Sequence, residues 1–385
     1  MSEKTINKVP NVPNLRFFND DNTWSNSSLE KKCKFVGGGT PSTLNQDYWN
    51  GDIAWISSAD LLEENVHKYN VSRFITKEAI MNSATKICPI NTIMIVSRVG
   101  VGKIAISNSE ICTSQDFTNL TEYQFDKNFL VYSLKNTIEK LKNSSQGTSI
   151  KGITSKEIKQ INIFYPEIIE QCKIGLFFKK IDERIEFQSK IINKLESLIC
   201  TLRSTIFNSY NWEWNRLDTY IKSGIITLKR GNVIPKHDED SEFKFPVYSS
   251  SIHNNGLMGY NNSYMFDKEL ITWSVDGGGN FFYRPKHKFN VTNVCGIMEI
   301  TDNSYNYRFL SEILLAQHSR LIFDYQTKAH PSVIEKLYKI PNVDIKIQEK
   351  IAYIFELYYT KLQKEKDILS LYKKQKAYLL QNMFI

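Results

Sequence analysis

The sequence lacks the features that mark membrane, secreted and metal-binding proteins. Its 385 residues contain no apolar run near the roughly 18 residues of a membrane span. Residues 1–15 have no apolar core of the kind found in a signal peptide. The six cysteines form no CxxC pair, and the six histidines do not cluster at metal-ligand spacing. We therefore expect a cytoplasmic protein with free thiols, no metal and no membrane contact.

Signatures of catalysis are missing as well. The string Gly100-Val101-Gly102-Lys103 lacks the earlier glycine and the following Ser or Thr of a phosphate-binding loop, so a turn between strands is the better interpretation. Gly277-Gly278-Gly279 likewise indicates a hairpin turn. No nucleophile signature, base-methyltransferase tetrapeptide or helicase nucleotide motif is present. The sequence predicts a protein that is not itself an enzyme.

Positive charge is shared by the two halves of the chain. The net charge is +8, and residues 1–209 carry 26 Lys and Arg against 22 Asp and Glu, while the remainder carries 23 against 19. This balance fits a polyanionic partner that both halves contact, although many proteins have such a charge.

Two stretches of equal length, 171–207 and 348–384, have the pattern of long helices. Each begins Gln-x-Lys-Ile, each ends in Phe, and neither contains proline. Apolar residues recur at alternating steps of four and three, the period of a coiled coil. They are Ile174, Phe178, Ile181, Ile185, Ile192, Leu195, Ile199, Leu202 and Ile206, and then Ile351, Phe355, Tyr358, Leu362, Leu369, Tyr372, Leu379 and Met383. Lys376 interrupts the second series. The favoured interpretation is an intramolecular antiparallel coiled coil.

The offset between these stretches also holds far upstream of them. Ser97 and Ser274 are 177 positions apart, like Gln171 and Gln348. Patterns of strand, turn and helix repeat in the same order, with strands expected at 53–56, 93–96, 103–106, 270–273 and 280–283 and helices at 129–141 and 307–320. Only seven of the 37 paired helix positions are identical. We predict an α+β fold built by internal duplication of a domain followed by a long helix, with pseudo-twofold symmetry.

Loop residues with cationic, amide or hydroxyl side chains are the candidates for contact with DNA. Such groups bind phosphates or base edges, and the sequence does not separate the two roles. In the first half they are Thr40, Ser42, Thr43, Arg98, Lys103, Thr148, Ser149 and Lys151, together with Gly38, which begins the loop that carries the first three. In the second half they are Lys229, Arg230, Asn232, Asn254, Asn255, Arg284 and Lys328.

The order of several motifs resembles the specificity subunit of type I restriction-modification systems. The first half has Gly38-Gly39-Thr40-Pro41-Ser42, then Tyr48-Trp49-x-Gly-Asp-Ile-x-Trp-Ile, and then Ser97-Arg98-x-Gly-x-Gly-Lys103. The second has Ile271-Thr-Trp273-Ser274-x-Asp276-Gly277, and each half continues into its Gln-x-Lys-Ile helix. The chain departs from the family in its third glycine at residues 37–39 and in lacking a run of prolines before Gln348.

The resemblance implies two target-recognition domains, at 1–165 and 210–341, and two antiparallel spacer helices, at 166–209 and 342–385. It implies that each domain reads one half of a bipartite sequence in double-stranded DNA and that the helices set the gap between the halves. Two methyltransferase subunits and a restriction motor subunit are the implied partners. S-adenosylmethionine, ATP and magnesium are expected on those partners, with no cofactor on this chain.

Three alternatives stay open at this point. The chain could serve as specificity partner of a single-polypeptide restriction-methylation enzyme, which co-purification with a separate methyltransferase would exclude. It could be a coiled-coil interaction scaffold with incidental charge, which salt-sensitive DNA binding would exclude. It could also be an unrecognised nuclease, which metal-dependent cleavage by the isolated chain would establish.

Overall fold

The computed structural model describes residues 11–18, 23–144, 152–234, 244–251, 253–276, 278–321 and 328–385. They form two compact units. The first unit combines Met1–Ser189 with Asp367–Ile385, and the second is the continuous segment Lys190–Lys366. Among these described residues, no helix is both long enough and apolar enough to span a membrane.

The described residues contain nine α-helices and nineteen β-strands, besides short 3-10 helices. The elements up to the first long helix are β1 (Ser25–Ser28), α1 (Leu29–Lys32), β2 (Cys33–Gly37), β3 (Ile53–Ile56), β4 (Arg73–Ile75), α2 (Lys77–Met81), β5 (Ile93–Val96), β6 (Ile104–Ile106), β7 (Cys112–Thr113), β8 (Phe117–Tyr123), α3 (Lys127–Ser144), α4 (Ser155–Gln160), β9 (Asn162–Tyr165) and α5 (Ile168–Ser209). Those that follow are β10 (Glu213–Arg216), α6 (Leu217–Lys222), β11 (Ile226–Arg230), β12 (Phe245–Tyr248), β13 (Leu257–Asn261), β14 (Phe266–Asp267), β15 (Leu270–Ser274), β16 (Phe281–Arg284), β17 (Lys288–Val291), β18 (Cys295–Ile300), α7 (Tyr307–His318), α8 (Pro331–Leu337), β19 (Lys339–Asn342) and α9 (Ile345–Met383).

The first unit is built around strand β5, whose four residues are all apolar and buried. It lies inside an antiparallel sheet of order β2-β8-β5-β6, next to a three-stranded sheet of order β4-β3-β7. Successive side chains of a strand point to opposite faces. Ile93 and Ile95 accordingly pack in the core that contains α3, while Met94 and Val96 pack in a second cluster with Ile56. An unbroken apolar strand is the pattern expected when both faces of a sheet are covered.

The end of α9 completes the core of this first unit. Leu380, Met383 and Phe384 are buried there, and the Phe384 ring lies 5.4 Å from Phe129 and 5.5 Å from Phe178 between centroids. The carbonyl of Asn382 accepts a hydrogen bond of 2.9 Å from the backbone N–H of Leu15. Residues near both ends of the chain are therefore in direct contact in this unit.

The second unit contains two four-stranded sheets, of order β11-β18-β15-β16 and β13-β12-β17-β14. Trp273 of β15 is completely buried against Gly296, its partner on β18. A Cβ at Gly296 would stand 2.0 Å from the indole, so only glycine fits there. The indole Nε1 donates a 2.8 Å hydrogen bond to the carbonyl of Ala329. Trp273 thus fixes the segment beside Lys328 to the sheet.

The duplicated order of elements is confirmed, and so is the α+β class. Strands β9 and β19 are 177 positions apart, as are the starts of α5 and α9. At the front of the repeat the spacing differs, because β1 and β10 are 188 positions apart. The predicted strands at 53–56 and 93–96 match β3 and β5. The helix expected at 307–320 is shorter, ending at His318, where Ser319 takes the C-cap position.

In each unit the two long helices run antiparallel to one another. In the first unit Asp182 of α5 pairs with Lys376 of α9, and the guanidinium of Arg184 lies 5.1 Å from the ring of Tyr372. Residue numbers rise on one helix as they fall on the other. All the apolar positions predicted for the coiled coil are buried or half-buried. Lys376, the exception in the pattern, is buried with Asp182, which explains how a lysine occupies a core position.

Candidate nucleic-acid interface

The glycine-rich loop 38–43 of the first unit lies against the end of β7. The N–H of Gly39 donates a 2.8 Å hydrogen bond to the carbonyl of Thr113, and a Cβ at Gly38 would stand 2.0 Å from the carbonyl oxygen of Ser114. The indole N–H of Trp55 holds the carbonyl of Gly39 at 2.9 Å. This backbone anchoring leaves Ser42 and Thr43 exposed, and Thr40 half-buried.

The turn between β5 and β6 lies beside the same segment. Ser97 donates from its backbone N–H, at 2.7 Å, and from its hydroxyl, at 2.8 Å, to the carbonyl of Asp116. Arg98 is exposed, whereas Lys103 is half-buried, with its Nζ 3.3 Å from the carbonyl of Ser58. The carbonyl of Ser97 accepts from the N–H of Ile153 at 2.8 Å.

Two of the loops predicted to contact DNA are therefore brought together on residues 113–116. The third lies outside the described residues, so Thr148, Ser149 and Lys151 stay predictions. The described chain resumes at Gly152, which lies close to Ser97. A Cβ on Gly152 would stand 2.9 Å from the carbonyl oxygen of Ser97. In this unit, backbone hydrogen bonds hold the loops while hydroxyl groups and one arginine face solvent.

In the second unit, residues 229–232, at the end of β11 and just after it, lie beside residues 291–293 at the end of β17. The guanidinium Nε of Arg230 donates a 2.8 Å hydrogen bond to the carbonyl of Asn293, and the N–H of Asn232 donates to Val291 at 3.1 Å. Arg230 and Asn232 are exposed. Lys229 is paired with Glu299 at 3.0 Å. A phosphate would have to compete with this carboxylate for Lys229.

Asn254 and Asn255 form an exposed turn with both residues in the left-handed region, at φ 48° and 51°. Asparagine tolerates this conformation better than most residues. The N–H of Ser249 donates to the carbonyl of Gly256 at 2.7 Å, which closes the turn. The side chains of both asparagines are thus displayed by a tightly constrained backbone.

Arg284 lies behind this turn and not on the surface. Its side chain belongs to a residue that is only 4% exposed, and its guanidinium carbon is 3.7 Å from the centroid of the Tyr248 ring. Its Nε donates to the hydroxyl of Thr272 at 2.9 Å. Its Nη2 has no hydrogen-bond partner among the described residues and lies 3.3 Å from the place of a Cβ on Gly256. Burial lowers the pKa of Arg284 to about 10.

Lys328 is exposed at the far side of the β15–β16 turn. Its Nζ is 3.1 Å from a carboxylate oxygen of Asp276, and the next residue, Ala329, is held by the indole of Trp273. The second unit therefore displays three exposed asparagines, Asn232, Asn254 and Asn255, and three exposed cations, Lys229, Arg230 and Lys328, on backbone segments anchored to its sheets.

The sequence pattern of the family described as "Type I restriction modification DNA specificity domain" matches residues 21–197 and again residues 219–371. Most of the chain is covered, and the two matches fall on the two halves of the duplication. The chain belongs to this family of specificity subunits.

Two similar proteins are named as type I specificity subunits. The specificity subunit of the type I restriction enzyme MjaIX from Methanocaldococcus jannaschii is 29% identical over 226 residues, which are 55% of this chain and 51% of that protein. The chain thus spans about half the length of MjaIX. A putative type I specificity subunit from Mycoplasma pneumoniae, S.MpnORF289P N-terminus, is 34% identical over 149 residues, covering 37% of this chain and 78% of that protein.

Solved structures of low sequence identity share the fold of this specificity subunit. The crystal structure of the type I restriction-modification system S subunit from M. genitalium aligns over 97% of this chain and 99% of that chain, with a TM-score of 0.63 and 20% identity. A second match, from a study of complex assembly and conformational transition of the type I R-M system, has a TM-score of 0.58 and 13% identity.

Sequence reasoning missed one surface of the specificity subunit. Beside Thr43 a shallow depression of about 400 Å³ is lined by Gln46, Trp49, Asn50 and Arg73. Arg73 lies 4.4 Å from the centroid of the Trp55 ring and is bonded to the hydroxyl of Ser57 at 2.6 Å. Its position on β4, far from any glycine-rich turn, gave no signal in the sequence. The amides of Gln46 and Asn50 have the chemistry of base-edge contacts, whereas Arg73 is already paired with the carboxylate of Asp60 at 3.2 Å.

Substitutions of Lys328, which is exposed, and Arg284, which is buried, should affect DNA binding in different ways. Lys328→Ala should weaken DNA binding about equally for all sequences and reduce the slope of log affinity against log salt by about one, as loss of one phosphate contact does. Arg284→Met should leave that slope unchanged and alter preference at the second half-site, because the turn at Asn254 and Asn255 loses its support. Binding of the assembled complex at several salt concentrations measures both. An equal loss of slope in Arg284→Met would mean that this arginine reaches a phosphate.

Proposed function

We propose that this chain is the DNA-reading subunit of a type I restriction-modification complex, in which each unit reads one half of a bipartite target. The observation that carries the proposal is the convergence of loops 38–43 and 97–103 on residues 113–116. Exposed hydroxyl and guanidinium groups on anchored backbone suit base and phosphate contact. The turn at Asn254 and Asn255 and the cations Arg230 and Lys328 support the same role for the second unit.

The long helices are proposed as the docking surface for methyltransferase subunits. Each unit carries large apolar side chains on these helices that the coiled coil does not bury, and such exposed groups favour association with a partner. In the first unit Phe187 is 65% exposed and Leu371 is 62% exposed, and in the second Tyr353 is 64% exposed. Tyr359 is half-buried, and its hydroxyl accepts a 2.9 Å hydrogen bond from Arg203, so it contributes less apolar surface than Tyr353.

The same proposal assigns the catalytic steps to other subunits. Two methyltransferase subunits would hold S-adenosylmethionine, and a restriction motor subunit would use ATP and magnesium. This chain would be the non-catalytic member of a complex that acts on DNA in the cytoplasm. Recognition by loops on a rigid support requires no reactive side chain on this subunit.

Sequencing of methylated bases tests this function directly. Cells that express this chain with its methyltransferase should carry methylation at a bipartite motif with one fixed gap, and deletion of the chain should abolish it. Methylation that persists without this chain, or that has no bipartite motif, would contradict the proposal.

Arg98→Ala tests whether the two units read independently. Arg98 is exposed on the β5–β6 turn, so its loss should weaken binding by about 1–3 kcal/mol if it contacts a base, and only at the first half-site. Competition between targets altered in one half-site measures this effect in the assembled complex. Lys34→Ala is the matched control, since Lys34 is an exposed cation of the same unit on β2, paired with Glu122 at 2.7 Å. Equal loss of preference at both half-sites would argue against separate reading.

A further inference from the structure

The first unit contains a buried polar cluster where the recognition domain meets the long helices. It consists of Tyr132 on α3, Asp182 on α5 and Lys376 on α9. The hydroxyl of Tyr132 donates a 2.7 Å hydrogen bond to one carboxylate oxygen of Asp182, and the ammonium of Lys376 pairs with the other. The side chains of Asp182 and Lys376 are 3% and 8% exposed, and Tyr132 is completely buried. We call these three residues the first clasp.

A loop of the recognition domain is fastened at the same place. Lys376 also donates to the carbonyl of Glu64 at 3.2 Å, and Lys135 of α3 donates to the carbonyl of Glu63 at 2.6 Å. Lys373 of α9 pairs with the carboxylate of Glu64 at 2.7 Å. The first clasp therefore joins α3, both long helices and loop 63–64 through charged or polar groups.

The second unit has an equivalent cluster with its groups on different helices. Arg203 of α5 donates at 2.8 Å to the carboxylate of Glu312 on α7 and at 2.9 Å to the hydroxyl of Tyr359 on α9. The side chains of Arg203 and Glu312 are 15% and 3% exposed. These residues form the second clasp. The carboxylate lies on the long helix in the first clasp and on the domain helix in the second.

Because the charged groups lie on different helices in the two clasps, one recognition domain does not fit the clasp of the other. Within the repeat, Lys135 corresponds to Glu312 and Asp182 to Tyr359, each 177 positions apart. If the first domain took the place of the second, Lys135 would stand where Glu312 stands and two cations, Lys135 and Arg203, would meet. This repulsion between like charges disfavours that arrangement.

Buried ion pairs add little to stability compared with apolar residues of the same volume, but a broken pair leaves an uncompensated buried charge, which is strongly unfavourable. A clasp therefore penalises every orientation of the domain in which its partners separate. Its effect falls on geometry more than on the free energy of unfolding. A charged cluster that spans a domain and two spacer helices is suited to fixing the angle and register between them.

We propose that each clasp holds its recognition domain at one angle and register on the long helices, and that Tyr132, Asp182, Lys376, Arg203, Glu312 and Tyr359 are thereby positioning residues for gap length. This inference rests on the proposed reading of a bipartite target. The length of the long helices alone sets an approximate distance between the two recognition domains. The clasps narrow the range of gaps that both domains can span at once.

The test replaces the first clasp with apolar groups, as Tyr132→Phe, Asp182→Leu and Lys376→Met together. The assembled complex with its methyltransferase subunits is given a DNA library in which the gap between half-sites varies. Methylation at gaps one base pair shorter and longer should rise at least about tenfold relative to the native gap, with unchanged base preference within each half-site. A denaturant midpoint close to that of the wild type is expected as well.

The matched control removes an exposed ion pair on the same two helices. Glu196 and Lys366 lie 2.7 Å apart with side chains 47% and 45% exposed, and Glu196→Leu with Lys366→Met should keep the wild-type gap profile. If the triple variant does not assemble, Asp182→Asn with Lys376→Gln provides a second test and should broaden the profile in the same way. A wild-type gap profile in the clasp variants, or equal broadening in the control, overturns the inference. A wild-type complex with no preference for a bipartite target overturns the proposed function itself.

Discussion

Gly38→Ala should abolish preference for the first half-site, while the second half-site is still read. A Cβ at this position would stand 2.0 Å from the carbonyl oxygen of Ser114 and 2.5 Å from the hydroxyl of Thr113. Backbone cannot give way as a flexible side chain can, so loop 38–43 must leave the end of β7. Such overpacking costs about 1–3 kcal/mol, which corresponds to about 5- to 150-fold in affinity if the native loop is required for binding.

Gly37→Ala is the matched control for this change. A Cβ there meets no atom within 4 Å, so the same methyl group one residue earlier should have little effect. Affinity of the assembled complex for targets scrambled in one half-site measures both variants. Full preference for the first half-site in Gly38→Ala would mean that this loop does not contribute to recognition.

Gly296→Ala should destabilise the second unit by about 3 kcal/mol or more. The added methyl group would overlap the indole of Trp273, which is completely buried and cannot rotate away without leaving its hydrogen bond to Ala329. We expect a separate unfolding transition of this unit at lower denaturant concentration, which tryptophan fluorescence should detect because Trp212, Trp214 and Trp273 all lie in this unit. Loss of the anchor at Ala329 should also weaken binding through the neighbouring Lys328.

Gly259→Ala controls for the general effect of replacing a strand glycine in the same unit. Gly259 lies on β13, and a methyl group added there would meet no atom within 4 Å, so the change should be neutral or slightly stabilising. A midpoint for Gly296→Ala equal to that of Gly259→Ala would show that the close packing on Trp273 is not maintained in solution.

The long helices and the duplication could be predicted because they depend on local pattern. The apolar period of the helices and the offset of 177 hold over whole elements, so the divergence of individual residues does not hide them. Lys376 shows the limit of such a pattern. As a lone lysine among apolar positions it reads as an interruption, and only the fold shows that Asp182, distant in sequence, faces it.

The candidate contact residues were harder to predict, because exposure of a loop side chain depends on what packs beneath it. Arg284, at the end of β16, was predicted to contact DNA, yet the ring of Tyr248 and the hydroxyl of Thr272 bury it. Arg73 has no distinctive neighbours in the sequence, yet it lines a depression beside Thr43. In both cases the residues that determine whether the arginine is exposed are distant in sequence, so no local motif reveals them.

The position of Phe384 in the core of the first unit has a consequence for biosynthesis. A ribosome completes residues 1–189 long before the end of α9 emerges, so a nascent first unit lacks Leu380, Met383 and Phe384. The second unit is continuous in sequence and needs no later residues to close its core. Domains generally fold as units during translation, beginning with the N-terminal one. In this chain the order is reversed, because the second unit can finish folding before the first. A truncated product leaves the core of the first unit open, with an apolar surface that chaperones or proteases recognise.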